Sequence, residues 1–401
     1  MSKNRTRERI APARSKSPQR RSPVSAAPKA RPLPVSEQSI LVTGAFGPVG
    51  ILVARELLRR GYRVVAADAK ASDSVLRGGN LRVLEGNLHD PVFVSSLVDG
   101  VHGVIHTMQA AATGALEDSS ALLDLQTLRV LFERSKEAGV GHFVHISTGL
   151  VYKRSTRPVN ERAPLEAAND HEKARIDAEN LLLSKPRMLP PHVTIIRPSV
   201  IYGPRCASFM ASIATLPPLV RSLGPYYPKM KGGPLTNMVH AEDVARAAVF
   251  LLNNPRAYGE IFNIADNDPR PLTDFINIAM ETYGLRPLGP GIPYPATTLI
   301  RSILPSLLKD EILSPLNRMN TVLWNRLVKK HHLQKVLSPR MDKDVFEFGL
   351  RPLVLDTSKL HSTGFHLKYP RFAKGWRNTV EWYEEHRWIP RVSPRSRTLK
   401  S

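Results

Sequence analysis

The sequence predicts a doubly wound α/β protein, in which helices cover both faces of a parallel sheet, with a smaller C-terminal α/β lobe. Two observations predict this class: short apolar strands alternate with helical segments, and the first strand enters a helix through a glycine-rich turn. The composition agrees, because 42% apolar and 23% charged residues in a chain of 401 are ordinary for a globular protein and exclude collagen-like and fully disordered classes. No apolar run reaches the roughly 18 residues that a membrane-spanning helix needs.

Strands and helices are predicted from apolar runs and from the residues that bound them. The first strand, Ser39–Val42, ends at the glycine turn, and a helix then runs from Ile51 to the basic residues before Gly61. A second strand leads from Arg63 to Asp68. The later segments are strands at 81–84, 101–106 and 142–146 and helices at about 119–138 and 173–184. Because parallel strands joined by helices end at one edge of the sheet, a ligand is expected at that edge.

The turn at residues 43–50 has the spacing of a dinucleotide-binding loop. Gly44 allows the sharp turn, Gly47 lets the backbone approach a pyrophosphate, and Gly50 lets the helix pack on the strand, so that helix amides face the phosphates. Asp68 follows Gly50 by 18 residues, close to the offset of about 20 for an acid that binds a ribose hydroxyl. A carboxylate repels a 2′-phosphate, which favours NAD, while the nearby Lys70 leaves NADP open.

Both ends of the chain are strongly basic. Of the 57 Lys and Arg residues behind the net charge of +22, ten lie in residues 1–35 beside one Glu. We predict a disordered basic arm at 1–37 and a loose basic tail at 391–401. The arm fits a solvated tail, a segment that contacts nucleic acid or anionic lipid, or an organelle-targeting segment, although its prolines would break an amphipathic helix. A single cysteine, Cys206, cannot form an internal disulfide, which predicts a reducing cytoplasm.

Several blocks at ordered spacings resemble one superfamily. They are the TGxxGxxG turn and the segments at 143–148, 151–152, 196–204, 238–245, 258–264 and 356–365. Together they resemble the extended short-chain dehydrogenase/reductase superfamily, in its NAD-dependent epimerase/dehydratase and 3β-hydroxysteroid-dehydrogenase branch, over about residues 38–390. The resemblance implies a Rossmann-type core at 38–200, a substrate lobe at 201–390 whose residues 236–265 return to the core, and NAD as cofactor.

The resemblance also implies which residues hold the cofactor. Asn87 stands where the family usually has an Asp that contacts the adenine, and an amide can still make that contact. His106 lies at the end of the strand that approaches the nicotinamide. The implied cofactor residues are Gly44, Phe46, Gly47, Val49, Gly50, Asp68, Asn87, Leu88, His106, Lys173, Arg197 and Pro198.

The catalytic residues depart from the family pattern. In the family, a Tyr phenolate takes the proton of a substrate hydroxyl, a Lys four residues later lowers the pKa of that phenol, and a Ser or Thr orients the substrate oxygen. Alignment on residues 151–152 places Thr148 at the Ser/Thr position and Lys173 at the Lys position. Four residues before Lys173 stands Asn169, and an amide cannot act as a general base near neutral pH.

The missing phenol leaves several mechanisms open. The proton could pass through water, Thr148 and Lys173, or to His171, or to a phenol from the loop that carries Tyr226 and Tyr227. The predicted function is an NAD(P)-dependent oxidoreductase or epimerase/dehydratase acting on a bulky hydroxylated substrate, steroid- or lipid-like or a nucleotide sugar. The alternative is an NAD(P)-binding sensor or scaffold that has lost turnover.

Further predictions concern partners and location. The family often dimerises through the helices beside the active site, here 119–138 and 173–184. Residues 299–330 carry apolar and basic residues at helical spacing, which indicates either a lid on the substrate lobe or a helix on an anionic membrane, and so a cytoplasmic or peripheral protein. Charge alone does not indicate nucleic-acid binding, since no aromatic-basic motif accompanies it. His331 and His332 point apart on a helix, so no metal site is predicted.

Overall fold

The structure is a computed structural model of the chain. It describes residues 33–71, 76–107, 118–187, 189–207, 209–294, 310–339 and 352–391. Nearly all of the two predicted basic ends and the first part of the predicted 299–330 helical stretch lie outside these residues.

A seven-stranded parallel sheet forms the centre of the structure, as the sequence predicts. Its strand order is β3-β2-β1-β4-β5-β6-β11, so the chain winds outward in both directions from β1. Side chains alternate between its faces: Ile40 and Val42 pack on one side and Leu41 on the other. The strands are β1 Ser39–Thr43, β2 Arg63–Asp68, β3 Leu81–Glu85, β4 Gly103–Thr107, β5 His142–Ile146, β6 His192–Pro198 and β11 Glu260–Ile264.

Helices cover both faces of the sheet through apolar stripes. In α1 (Gly50–Arg59), Ile51, Ala54 and Leu57 recur at helical spacing and are buried against the sheet. The same face also carries α6 (Ala241–Leu251) and the short α9 (Ser358–Ser362). The opposite face carries α2 (Pro91–Ser96), α3 (Asp118–Glu137) and α4 (Asp170–Leu183). The carboxyl ends of β1 and β4, where the winding direction changes, are therefore open for a ligand.

The remaining elements build a second lobe around its own aromatic core. Phe275, Phe372, Trp376 and Tyr383 are fully buried there. Its strands form pairs: β7 (Val200–Tyr202) with β10 (Met238–His240), β9 (Leu235–Thr236) with β12 (Arg270–Pro271), and β8 (Tyr226–Lys231) with β13 (Arg286–Pro293). Its helices are α5 (Phe209–Leu223), α7 (Leu272–Thr282), α8 (Asp310–His331) and α10 (Phe372–Glu385). Three single 3-10 turns lie at Val35–Glu37, Gly149–Val151 and Pro255–Ala257.

Helix α8 covers the second half of the predicted 299–330 stretch. One side of it, with Trp324, Leu327 and Val328, is buried in the core of the second lobe, whereas Met319 and Val322 on the other side are exposed. The packed side agrees with the lid alternative. Across the described ranges, no helix combines the length and the apolar character that crossing a bilayer requires.

Candidate nucleotide-binding and catalytic site

The glycine turn after β1 is shaped for close backbone approach. Gly44 has φ of +67°, and a Cβ built on it would lie 2.4 Å from the carbonyl oxygen of Thr107 at the end of β4. A Cβ on Gly50 would lie 2.0 Å from the carbonyl oxygen of Gly44. Helix α1 starts at Gly50 without a side-chain cap at Val49, and the positive end of its dipole points towards the turn.

Asp68 lies at the carboxyl end of β2, next to this turn. Its Oδ2 accepts a hydrogen bond from the amide of Phe46 at 2.9 Å, and its Oδ1 accepts one from the amide of Ala69 at 2.7 Å. A carboxylate has about four lone-pair sites, so acceptor capacity remains for ribose hydroxyls. The structure thus brings together the acid and the glycine loop that the sequence predicts to bind one nucleotide.

The other implied cofactor residues surround the same edge of the sheet. Phe46 and Val49 are half-buried against the core and Gly47 is buried. Asn87 caps a turn, since its Oδ1 accepts a hydrogen bond from the amide of His89 at 3.0 Å. Leu88 lines a cleft of about 270 Å³ between α2 and α3.

Two buried histidines lie side by side on neighbouring strands. His106 of β4 and His145 of β5 are register partners whose rings stack with centroids 5.4 Å apart. The Nδ1 of His106 hydrogen-bonds to the Oγ1 of Thr43 at 2.6 Å, which ties the end of β4 to the glycine turn. Burial, followed by the positive charge of Arg175, lowers the pKa of His106 to about 3, and burial lowers that of His145 well below its usual range. Both rings are therefore neutral at physiological pH.

Asn169 has a structural role at the start of α4. The helix begins at Asp170, three residues earlier than predicted, and Asn169 is its N-cap, with its Oδ1 accepting a hydrogen bond from the amide of Glu172 at 2.9 Å. The Oε2 of Glu172 accepts in turn from the amide of Ala168, the residue before the N-cap, at 2.7 Å. The amide at the position implied for the catalytic Tyr is therefore occupied in holding the helix end.

The inward stripe of α4 places Arg175, and not Lys173, towards the sheet. Ala178, Glu179 and Leu182 are buried on this helix, and Arg175 lies on the same stripe, three, four and seven residues before them. Lys173 is exposed. The predicted cofactor and catalytic position Lys173 is thus on the solvent side of α4, and the cation on its inner side is Arg175.

His171 stands one turn before Arg175 on that stripe and is half-buried, as Arg175 is. Across from them on α3, burial raises the pKa of the Asp124 carboxyl, while the positive charges of Arg175, His89 and His171 oppose this shift. Burial lowers the pKa of Arg175, and the charge of Asp124 opposes this. No carboxylate lies within 4.0 Å of the Arg175 guanidinium among the described residues. The site therefore contains an imidazole and a guanidinium one helical turn apart.

Thr148 lies two residues after the end of β5, at the same edge of the sheet. Its Oγ1 accepts a hydrogen bond from the amide of Leu150 at 3.2 Å and so caps the 3-10 turn that follows. The hydroxyl of Ser147, which precedes it, donates to Oε1 of Glu179 at 2.5 Å, and this contact fixes α4 against the end of β5. Thr148 therefore follows the residue through which the middle of α4 is held against the sheet.

A buried ion pair lies beneath this edge. The guanidinium of Arg197 binds both carboxylate oxygens of Glu179 and donates to the hydroxyl of Tyr152 at 2.8 Å, which donates to Oδ1 of Asn263 at 2.7 Å. Burial alone would lower the pKa of Arg197, but its hydrogen bonds with Glu179 raise it. Arg197, an implied cofactor residue, thus directs its charge into the protein, and Pro198 beside it is buried.

Sequence reasoning missed Arg175 and Glu179. Two signals pointed to them: Arg197 is a lone charge in the apolar strand β6 and needs a buried partner, and Arg175 follows His171 by four residues, the spacing at which helical side chains share a face.

The remaining candidate bases lie in the second lobe. The hydroxyl of Tyr227 donates to Glu281 at 3.1 Å, and burial followed by the charge of Glu281 raises the pKa of this phenol. Tyr226 is exposed on the neighbouring position of β8. No group of three or more potential metal ligands occurs in the parts of the chain that the structure describes.

Comparisons with known proteins find a matching family and several similar proteins. The model of the NAD-dependent epimerase/dehydratase family matches residues 40–265, which is more than half of the chain. Sterol demethylase protein B of Methylococcus capsulatus is 33% identical over 174 residues, 41% of this chain and 52% of that protein. The divinyl chlorophyllide a 8-vinyl-reductase of Zea mays is 35% identical over 37% of this chain and 41% of its own. The alignments thus span about half or less of these two relatives.

A longer match and a solved structure extend the similarity. The 3 beta-hydroxysteroid dehydrogenase/Delta 5-->4-isomerase of Mycobacterium tuberculosis is 25% identical over 62% of this chain and 70% of that protein. The UDP-glucose 4-epimerase of Thermotoga maritima superposes with a TM-score of 0.63 at 20% identity, covering 87% of this chain and 99% of that one, which shows the shared fold. The predicted fold, superfamily and NAD dependence are confirmed at the level of the family. The chain belongs to the NAD-dependent epimerase/dehydratase family.

Proposed function

We propose that the protein is an NAD-dependent oxidoreductase that acts on a bulky, lipid-like alcohol or ketone. The observation that carries the proposal is that His106 links two features at one sheet edge. It hydrogen-bonds to Thr43, directly before the glycine loop with Asp68, and the charge of Arg175, on the inner stripe of α4 with His171, acts on the same ring. The names of two relatives, a sterol demethylase protein and a hydroxysteroid dehydrogenase, support a sterol-like substrate over a nucleotide sugar. The nucleotide-sugar enzymes among the solved structures are about 20% identical and support the fold alone.

The residues of the glycine turn fit a dinucleotide. Gly44 and Gly50 leave no room for a side chain beside the backbone, which keeps the turn open to a diphosphate. Asp68 would accept hydrogen bonds from the adenosine ribose, and its charge favours NAD over NADP, although the exposed Lys70 two residues on could bind a 2′-phosphate. NAD supplies the hydride acceptor when it is bound.

Geometry favours His171 and Arg175 over Lys173 for proton transfer. An imidazole can accept a proton from a substrate hydroxyl near neutral pH, which the Asn169 amide cannot do. The guanidinium of Arg175, which lacks a close carboxylate partner, would stabilise the oxygen as negative charge develops on it. Thr148 would orient that oxygen from the end of β5. In this arrangement, the pair at positions 171 and 175 takes the roles that the family gives to a Tyr and a Lys four residues apart.

A turnover assay with three variants tests the proposal. NAD reduction is followed with a panel of 3β-hydroxysterols and with UDP-glucose, and NAD affinity is measured alongside. We expect turnover on a sterol-like alcohol, a loss of about 100-fold or more in kcat for His171→Gln and Arg175→Met, and little change for the matched control Lys173→Met, which removes an exposed cation of the same helix. A large loss in Lys173→Met with a normal Arg175→Met would contradict the assignment. NAD binding without turnover on any substrate would instead support a non-catalytic NAD-binding protein.

A further inference from the structure

A two-stranded ribbon in the second lobe presents an apolar face to solvent. Its strands, β8 and β13, are parallel, and paired residues in such a ladder point to the same side. Tyr226 is 51% exposed, Leu288 is 64% exposed and Ile292 is 59% exposed. We call the six residues of this side the ribbon face: Tyr226 paired with Arg286, Pro228 with Leu288, and Met230 with Ile292.

The opposite side of the ribbon is packed, so the ribbon face has a fixed position. Tyr227 is 2% exposed and its hydroxyl is held by Glu281 of α7. The Nδ2 of Asn277, also on α7, donates to the carbonyl oxygen of Met230 at 2.8 Å. Because α7 anchors one side in this way, the apolar residues of the other side are exposed on a supported strand pair.

The two strands of the ribbon carry charge of one sign. Residues 226–231 and 286–293 contain three cations and no Asp or Glu. Arg286 lies on the ribbon face itself, and Lys229 and Lys231 alternate to the side of Tyr227. Exposed apolar side chains bordered by cations complement an anionic lipid surface, where acyl chains accept the apolar groups and phosphates bind the cations.

Other occupants fit the ribbon less well. Pro228, Pro287, Pro290 and Pro293 carry no backbone N–H, and the ladder is irregular between Leu288 and Ile292, so a partner strand cannot pair along this edge. A second copy of the chain would bring two ribbons of the same positive charge together. A peptide strand and a symmetric dimer are therefore both disfavoured.

We propose that the ribbon face docks on an anionic lipid bilayer. Tyr226, Leu288 and Ile292 would enter the headgroup region, and the surrounding Lys and Arg side chains would bind lipid phosphates. This proposal does not depend on NAD or on catalysis, so it stands or falls separately from the proposed function.

A site-specific label tests it in the full-length protein. The basic arm could bind anionic vesicles by itself, so a sedimentation assay alone would not identify the ribbon. Because the single natural cysteine, Cys206, is buried, an environment-sensitive fluorophore can be attached to Leu288→Cys. The matched control is Val92→Cys, which labels another exposed apolar residue, on α2. We expect a blue shift at position 288 with phosphatidylcholine vesicles that contain phosphatidylserine, and none at position 92 or with phosphatidylcholine alone.

Three outcomes of the vesicle titration would overturn the proposal. They are the absence of a shift at position 288, an equal shift at both positions, and an equal shift with neutral vesicles. A shift that grows with protein concentration in the absence of vesicles would assign the ribbon face to a second copy and would also contradict it.

Unlabelled variants provide a second readout. The double variant Leu288→Ser, Ile292→Ser should bind the anionic vesicles at least tenfold more weakly than Val92→Ser, with an unchanged thermal unfolding midpoint because all three residues are exposed. Because the basic arm is present in both variants, the ratio of their affinities reports on the ribbon face, and equal binding by both would contradict the proposal.

Discussion

At the scale of single residues, Asn169 shows how a side chain can serve folding at a position where a family resemblance implies chemistry. Its amide oxygen accepts a hydrogen bond from the backbone N–H of Glu172, which satisfies one of the free donors at the start of α4. Asp68 is similar, because it braces the glycine turn through Phe46 as well as facing the proposed ribose site. Substitutions at such positions must therefore separate stability from binding.

We predict that Asn169→Ala lowers the free energy of unfolding by about 1 kcal/mol, because the helix loses its N-cap. Asn169→Asp should restore most of that stability, since a carboxylate caps equally well. Turnover per folded molecule should stay within about twofold in both variants if His171 is the base. Urea unfolding and the sterol assay measure the two quantities. An intact stability with a collapsed kcat would show that Asn169 takes part in the reaction.

At the scale of elements, α4 is positioned by a buried ion pair with β6. Glu179 and Arg197 are each about 3% exposed or less, and the pair is completed by Ser147 and Tyr152. The hydrogen bond to Tyr152 also holds that phenol in the interior, where burial raises its pKa to about 12. The register between α4 and the end of β5, and with it the place of His171, depends on these contacts.

We predict that Glu179→Ala destabilises the fold by about 3–5 kcal/mol, because Arg197 would remain as an unpaired buried charge. The double variant Glu179→Leu, Arg197→Met should cost less than this single change, since it leaves no charge behind. An exposed pair, Glu133 with Lys136 on α3, provides the control, and Glu133→Ala should cost less than about 1 kcal/mol. Equal losses at positions 133 and 179, measured by urea unfolding, would show that the buried pair does not hold α4.

Local sequence signals predicted the elements better than the contacts between them. The strand, glycine turn, helix and Asp68 follow from apolar periods and turn residues that act over a few positions, and the structure contains all four. Helix α4 begins three residues before the predicted start at Lys173, because Asn169 caps it and Glu172 stands at the third helical position, the spacing of a capping box. Whether Lys173 or Arg175 faces the sheet depends on how α4 is rotated about its axis. A shift of one residue in the alignment of the helix changes which side chain is predicted to face inward.

At the scale of the whole molecule, burial of polar groups couples stability to pH. His106, His142 and His240 are buried with pKa values of about 3, each shifted first by burial, and burial also lowers the pKa of His145 well below its usual range. In the unfolded chain, these imidazoles take up protons near pH 6.5. Acid therefore protonates the unfolded state first, and stability present above about pH 6.5 is lost as the pH falls towards 3.

We predict that His145→Phe flattens this acid loss. Both ring nitrogens of His145 lack a hydrogen-bond partner, so the replacement keeps the ring stack with His106 and removes one titrating group. The slope of unfolding free energy against pH should fall by up to about 1.4 kcal/mol per pH unit between pH 6 and 4. The control is His366→Gln, which removes an exposed histidine and leaves the core unchanged. Identical slopes for the wild type and His145→Phe would contradict the assigned burial.

Long-range pairing limited what the sequence predicted at this scale. The parallel pairing of β8 with β13 joins segments about 60 residues apart, and no local signal selects such a partner. The Glu179–Arg197 contact likewise depends on how α4 lies on the sheet. Predictions from the sequence therefore reached the nucleotide loop, which is local, and missed the inner face of α4 and the ribbon face, which are not.

Calorimetric titration of the full-length protein with NAD tests the central claim most directly. We predict saturable binding of one NAD per chain. The affinity should fall about tenfold or more in Asp68→Asn and stay unchanged in the control Asp99→Asn, which alters an exposed Asp. If NAD and NADP both produce no binding heat at millimolar concentration, or if Asp68→Asn binds NAD as tightly as the wild type, the assigned nucleotide site is contradicted.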